Sequence, residues 1–331
     1  MDRILLKEKL KTVGRSKTSG NEPFEFVWRP DLRKLPQSVV EFEVNLHGGF
    51  ATDNRPGFGH KYYGMPGAGI MRIDPDLQHQ ELIKLPRNLT DVNFHGTELG
   101  EIDGNLRLIL PANADEMVAI ITLEGEVDFI LSRPEFEQYQ NKETEFNPTS
   151  VALVDDQIFV ADGYGSNYIS VADGKHGKWV DIFGGKTSDR YAAGLYGTAH
   201  GIANHPHHNH LVIADRPHSR VQTHHHHGGH IHSHQLPDGS FPCGIDFIEY
   251  GGRLLAVVGS LIDPVEEEPA PIYILDGMTY EVLSTIRPKI DLGIEDAQHI
   301  HDATFHIHNG QLYIVVQAWN PGFYFVLEKA E

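Results

Sequence analysis

The sequence has a single cysteine, Cys243, so no intramolecular disulfide can staple the chain. It has no stretch approaching the ~18 consecutive apolar residues that a membrane-spanning helix requires. Its start, Met1-Asp2-Arg3-Ile4-Leu5-Leu6-Lys7, lacks the apolar run of a secretory signal. Basic residues are scarce: 27 Lys and Arg face 46 Asp and Glu, a formal charge of −19. Phosphate backbones demand clustered cations, so nucleic acid is excluded as a partner. A short basic start (Lys7, Lys9, Lys11, Arg15, Lys17) reads as a solvated terminus. These absences predict a cytoplasmic protein with a small-molecule partner and no membrane. Helical periodicity is also scarce, and only residues 2–12 read as a short helix.

Two residue types are in excess: 33 glycines and 22 histidines. The glycines punctuate short apolar runs, which is strand and turn chemistry. An apolar strand, an Asp-Gly or Asn-Gly turn, a second strand and a polar corner recur along the chain. The clearest copy is Ser150 to Tyr164, and it echoes from Gly201 to Arg216, Gly244 to Val258, Ala303 to Val316 and Thr97 to Leu110. The first copy, Gly48 to Asp74, is the least regular. Six units at a period of about 50 residues match radial repeats of four-stranded sheets. The fold class is therefore all-β, a six-bladed β-propeller. Residues 1–37 read as an N-terminal arm and 38–331 as one propeller domain. The alternating segment Ser38 to Val44 reads as a strand that closes the ring against the last blade.

Three histidines occupy the same place in their units, just before an inner strand: His95 in Phe94-His95-Gly96, His200 in Ala199-His200-Gly201, and His301 before Asp302. Their separations are 200 − 95 = 105 and 301 − 200 = 101, two blade periods each. In a six-fold ring, alternate blades place three side chains about 120° apart around the axis. That is a facial three-nitrogen site for zinc, or for Fe(II) or another imidazole-binding metal. On a regular strand His299 shares the face of His301 and competes with it as ligand. His306 and His308 read as ordinary strand residues. The tract His224 to His234 reads as an outer-edge hairpin turned by Gly228-Gly229, capable of adventitious metal binding.

At these residues the chain resembles the lyase domain of peptidylglycine amidating enzyme, peptidyl-hydroxyglycine lyase, and more broadly the NHL-repeat propellers. The matching motifs are Asn147-Pro148-Thr149-Ser150-Val151-Ala152, the corner Ala161-Asp162-Gly163-Tyr164, Ala199-His200-Gly201 with Ala214-Asp215-Arg216, and His301-Asp302, spanning about residues 90–325. The resemblance implies His95, His200 and His301 as zinc ligands and Tyr164 as the group that takes a proton from a substrate hydroxyl. It implies Arg216, and Arg55 from the first blade, as arginines lining the site. It also implies a structural calcium held by Asp302 and the backbone near Thr97. The chain departs from the family: Tyr168 follows Asn167 where the family has an arginine, Phe94 and Ala199 replace prolines, and no disulfide can form. Those departures argue against secreted peptide amidation.

Read from the residues alone, Tyr164 also suits packing between blades, and Arg216 and Arg220 suit pairing with Asp215. Asp162 and Asp215 suit turn capping. Three functions compete: a metal-dependent lyase or hydrolase acting on a small carboxylated molecule, a non-enzymatic NHL-type binding module, and a calcium-dependent lactonase. Histidines at the axial positions count against the last, because calcium prefers oxygen ligands.

Overall fold

The computed structural model describes residues 17–331 apart from Lys142; the short helix read over residues 2–12 and the basic stretch from Lys7 to Arg15 lie outside the described residues. Six antiparallel sheets form the blades of a β-propeller. The inner strands are Phe50–Thr52, Glu98–Ile102, Ser150–Val154, Ala199–Asn204, Asp246–Tyr250 and His299–His308, in blades 1 to 6. All six run the same way along the central channel, so the channel has an entry mouth, where these strands begin, and a far mouth.

The blades form where the sequence alternates and turns. Asp103 and Gly104, both with positive φ (49° and 71°), join Glu98–Ile102 to Asn105–Ala112. A two-residue turn of that kind matches the twist of the strands it connects. Second strands such as Gln157–Ala161 are buried on both faces, because each blade is packed between two others. Six apolar layers result, one per blade interface; Tyr62 and Ile70 of blade 1 meet Leu108 and Leu110 of blade 2, for example.

The ring is closed by residues placed in the N-terminal arm at the sequence level. Phe24–Trp28 pairs with Phe323–Lys329, and Thr18–Asn21 pairs outside it, giving blade 6 five strands. The boundary at residue 37 therefore does not separate arm from propeller. Nor is Ser38 to Val44 a strand: Val40–Asn45 forms a 3₁₀ helix. Its buried positions are Val39, Glu43 and Leu46, with Val40 43% and Val44 60% exposed. A three-to-four-residue spacing of inward positions suits a turn of helix, and here it overrides the two-residue alternation of the apolar side chains. Val39 and Leu46 pack against Tyr63 and Tyr324, sealing the last blade to the first.

No helix among the described residues is long and apolar enough to cross a membrane.

Candidate metal centre

Backbone register places one residue of each blade at an equivalent point on the entry mouth. His95, Thr149 and Cys243 each donate their backbone N–H to the carbonyl ending the second strand of their own blade, at Pro111, Ala161 and Gly259. His200 and His301 sit where the pairing shifts, between Ala199 and Gly201 and between Ile300 and Asp302. The ladder places Gly48 at the same point in blade 1, next to the pair Phe50 and Tyr63. Such bulges re-aim a side chain at a sheet end. Here they turn alternate-blade histidines onto the axis.

The three rings converge. Ring centroids lie 4.6 Å apart for His95 and His301, 4.8 Å for His95 and His200, and 5.1 Å for His200 and His301. Nitrogens held 2.0–2.1 Å from one tetrahedral ion put ring centroids roughly 5 Å apart, so the ring spacing suits a ligand set, although the histidines whose ligand atoms all lie within 4.8 Å of one another are His47, His95 and His301, with His200 outside that group. Its polarity fits as well. His95 Nδ1 meets the Thr149 carbonyl at 2.8 Å, and His301 Nδ1 meets the Gly48 carbonyl at 2.8 Å. In each case the acceptor is the equivalent residue of the next blade. A carbonyl can only accept, so both Nδ1 atoms carry the proton and both Nε2 lone pairs point inward, 3.1 Å from one another. Metal-ligating histidines are held by such outer hydrogen bonds. For His200 the matching carbonyl is that of Cys243; it lies near the ring but outside hydrogen-bond geometry, leaving Nδ1 without a partner.

Burial holds all three imidazoles well below the ordinary histidine pKa, with Arg216 and the neighbouring rings adding to the effect. Neutral imidazole is the ligating form. The glycines after His95 and His200 have a steric reason. A Cβ on Gly201 would stand 2.2 Å from the Cys243 carbonyl oxygen, and one on Gly96 3.0 Å from that of Thr149.

Tyr164 and Arg216 cover the histidines from the entry mouth. The Tyr164 hydroxyl is 3.3 Å from His200 Nε2, and Arg216 Nη1 donates to it at 2.8 Å. Asp162 fixes the corner carrying Tyr164 by accepting from the Asn147 and Ser166 backbone N–H groups and the Tyr139 hydroxyl, at 2.6, 2.7 and 2.8 Å. Asp215 caps its own corner, accepting from the Gly197 backbone, His218 and Arg220. Both aspartates are thus turn-capping groups. Arg220 pairs with Asp215, but Arg216 does not. Arg216 is buried, donates its other Nη to Cys243 Sγ at 3.0 Å and leaves Nε without a partner. It is a buried cation with no acid paired to it among the described residues. Arg216 pulls the Tyr164 hydroxyl down, yet burial wins and the phenol sits above its usual pKa. Burial likewise raises the Cys243 thiol.

Two expectations from the sequence do not hold in the structure. Arg55 is not at the centre: it follows the inner strand of blade 1 at the far mouth, where it pairs with Asp53 at 2.8 Å and stacks on Phe58. Its neighbour Asp53 and the channel length separate it from the histidines. His299 does not share the face of His301, because the bulge falls at His301 itself; the Nδ1 of His299 bonds the Leu261 carbonyl and its ring lies by Trp319.

The sequence reading missed His47 and Cys243. His47 lies 4.7 Å from His95, 4.5 Å from His301 and 5.2 Å from Trp319, centroid to centroid. His47, His95 and His301 have ligand atoms close enough to share an ion. Burial, then Arg216, pushes His47 down to about 4. Its signal was the His-Gly pair common to His47-Gly48, His95-Gly96 and His200-Gly201, hidden because His47 precedes the equivalent position by one residue.

Beneath the histidines a cavity of about 360 Å³ runs down the channel. Thr97, Glu98, Asp246 and Asp302 line it. Burial pushes the Asp302 carboxyl up to about 7; burial and Asp246 push Glu98 up to about 8. Asp302 accepts the Phe50 N–H at 2.9 Å, and Thr97 Oγ1 is buried without a partner.

No protein-family profile matches the chain, and no curated protein matches it in sequence. Solved structures do match in shape. A gluconolactonase from Xanthomonas campestris superposes with a TM-score of 0.55 at 12% identity, over 85% of each chain. BBS1N, solved in complex with ARL6DN, superposes at 0.50 and 10% identity, over 82% of this chain and 75% of its own. At such identities the likeness establishes a shared fold, the six-bladed β-propeller.

Proposed function

We propose that the chain is a metal-dependent lyase that cleaves a C–N or related bond in a small hydroxylated, carboxylate-bearing substrate. The observation that carries this reading is the convergence of His95, His200 and His301, with two Nδ1 protons tied to carbonyls and Tyr164 and Arg216 set against the open side. A divalent ion there, zinc or Fe(II), would polarise a substrate hydroxyl and add positive charge beside Tyr164. His47 stands as a fourth imidazole on that side. The buried Arg216 guanidinium, with Nε free, is placed to hold a substrate carboxylate. With the charge of an ion added to that of Arg216, Tyr164 would be held as the phenolate; its Oη would take the hydroxyl proton and hand it to the leaving nitrogen as the C=O forms and the C–N bond breaks. Below, Asp302, Asp246, Glu98 and Thr97 offer an oxygen-rich set that suits a hard cation such as calcium.

The test offers an α-hydroxyglycine derivative to the purified protein and measures aldehyde release. Turnover should vanish in His200→Ala together with the axial ion by elemental analysis. Turnover retained in a metal-free preparation would end the reading. Hydrolysis or hydration at the same centre uses the same residues, and carboxylated esters and lactones in the screen separate those reactions from cleavage.

A further inference from the structure

Blade 4 carries histidines that the axial centre does not use, and they fall into two groups. Some are engaged as hydrogen-bonding groups. His205 meets the Gly277 carbonyl with Nε2 and accepts the His207 and His208 backbone N–H groups with Nδ1. His224 bonds Tyr196 and Gly228, His226 bonds Asn204, and His207 pairs with Glu249. Six others have no ring nitrogen hydrogen-bonded to any group among the described residues: His232 and His234, and the four His208, His210, His225 and His227.

These four form a continuous file. Ring centroids lie 5.3 Å apart for His208 and His210, 5.6 Å for His210 and His225, and 5.1 Å for His225 and His227. The strand register explains the file. His210 pairs directly with His225 across two adjacent strands, and the two outer members each follow or precede by two residues. Directly opposed residues bring side chains within reach, and His208 and His227 stand in the turns just outside the two strands. Each neighbouring pair has the roughly 5 Å spacing of imidazoles on one ion; no three of the four have ligand atoms within 4.8 Å of one another as they stand, so capture requires these rings to turn. His208, His225 and His227 are exposed and His210 half-buried, so the rings are accessible and free to rotate. The net charge of −19 attracts cations to the surface.

The file lies on the far face, running from the turn beside the far mouth (His208) outward to the hairpin after the third strand of blade 4 (His225, His227). The turn after the inner strand of blade 4 carries His208, and its neighbours Asn204 and Pro206 line the channel cavity whose other end is the axial histidines. We propose that His208, His210, His225 and His227 form a second, surface transition-metal site, with His225 as its hub, that captures a divalent ion on the far face and supplies the axial centre through the channel. The supply step rests on the axial reading above; the capture step does not.

The full chain, stripped with a chelator, is titrated with Zn²⁺ at neutral pH, and Cu²⁺ binding is followed by electron paramagnetic resonance. Two classes of ion are expected, the weaker showing nitrogen hyperfine coupling. His210→Gln/His225→Asn should weaken that class at least tenfold and leave the tight class intact, and His225→Asn/His227→Asn should do the same. His232→Asn, on the neighbouring strand, should change neither. Loading of the tight class from a substoichiometric zinc chelate should slow at least tenfold in both double variants. An unchanged weak class in those variants overturns capture; unchanged loading rates overturn supply. If His200→Ala keeps the tight class, the axial reading fails while the capture result stands on its own.

Discussion

Filling the axial centre should raise the melting temperature by an amount the structure fixes in order of magnitude. An ion that binds the folded chain alone stabilises it by about 4.1 kcal/mol when its free concentration is about a thousand times Kd. The 331 residues, at ~2.1 cal/mol/K each, give an unfolding entropy of about 0.7 kcal/mol/K. The shift is therefore about 6 °C. In His200→Ala one of three imidazoles is gone. Disturbing merely the outer hydrogen bonds of such a ligand costs 10–100-fold in affinity. Loss of the ligand itself, at a hundredfold or more, leaves at most about 1.4 kcal/mol, or about 2 °C, at the same free metal. The assay is calorimetric unfolding of chelator-stripped protein in a metal buffer that fills the tightest site alone, which keeps the surface file of blade 4 out of the measurement. A wild-type shift under 1 °C, or an equal shift in wild type and His200→Ala, would refute the reasoning that these rings share an ion.

Three further outcomes follow from the same geometry. Tyr164→Phe should keep the axial ion and lower turnover by about 10²–10⁴-fold; turnover within threefold of wild type would remove Tyr164 from the proton-transfer step. Metal affinity at the axial site should vary less than twofold between pH 8 and 6.5 by isothermal titration, because burial holds His95, His200 and His301 well below the ordinary value of 6.5. Depressed imidazoles are neutral throughout that window, protons compete for them at lower pH, and affinity falls as pH drops further; a tenfold loss from 8 to 6.5 would contradict this. Gly201→Ala puts a Cβ 2.2 Å from the Cys243 carbonyl oxygen, so unfolding calorimetry should show a loss of about 1–3 kcal/mol and metal titration a weaker axial site; an unchanged protein would mean the blades are not held this close.

Local chemistry explains why so much was readable in the chain. Two-residue alternation, Asp-Gly and Asn-Gly turns and a period near 50 residues each act within one blade, so the six units, the turn at Asp103-Gly104 and the hairpin at Gly228-Gly229 followed from the sequence. The spacing of His95, His200 and His301 was legible because a closed six-fold ring converts equal separations along the chain into equal angles about an axis. The capping roles of Asp162 and Asp215 were legible for the same reason, since a corner is made by residues close in sequence.

Tertiary structure decided what depends on distant strands or on a shift of one residue. Ring closure fell to Thr18–Asn21 and Phe24–Trp28 because the last blade, 300 residues away, offers an unpaired edge, and no local pattern encodes that partner. Val40–Asn45 coils where its alternation favours a strand because its buried positions must face Tyr63 and Tyr324 from neighbouring blades. A bulge at His301 chose it over His299, and one residue of offset brought His47 into the cluster. Arg55 lies at the wrong end of its strand, while Arg216 and Cys243 meet at 3.0 Å from different blades. Composition and periodicity set the architecture; which side chains face one another was set by closure of the ring and by the bulges that turn residues inward.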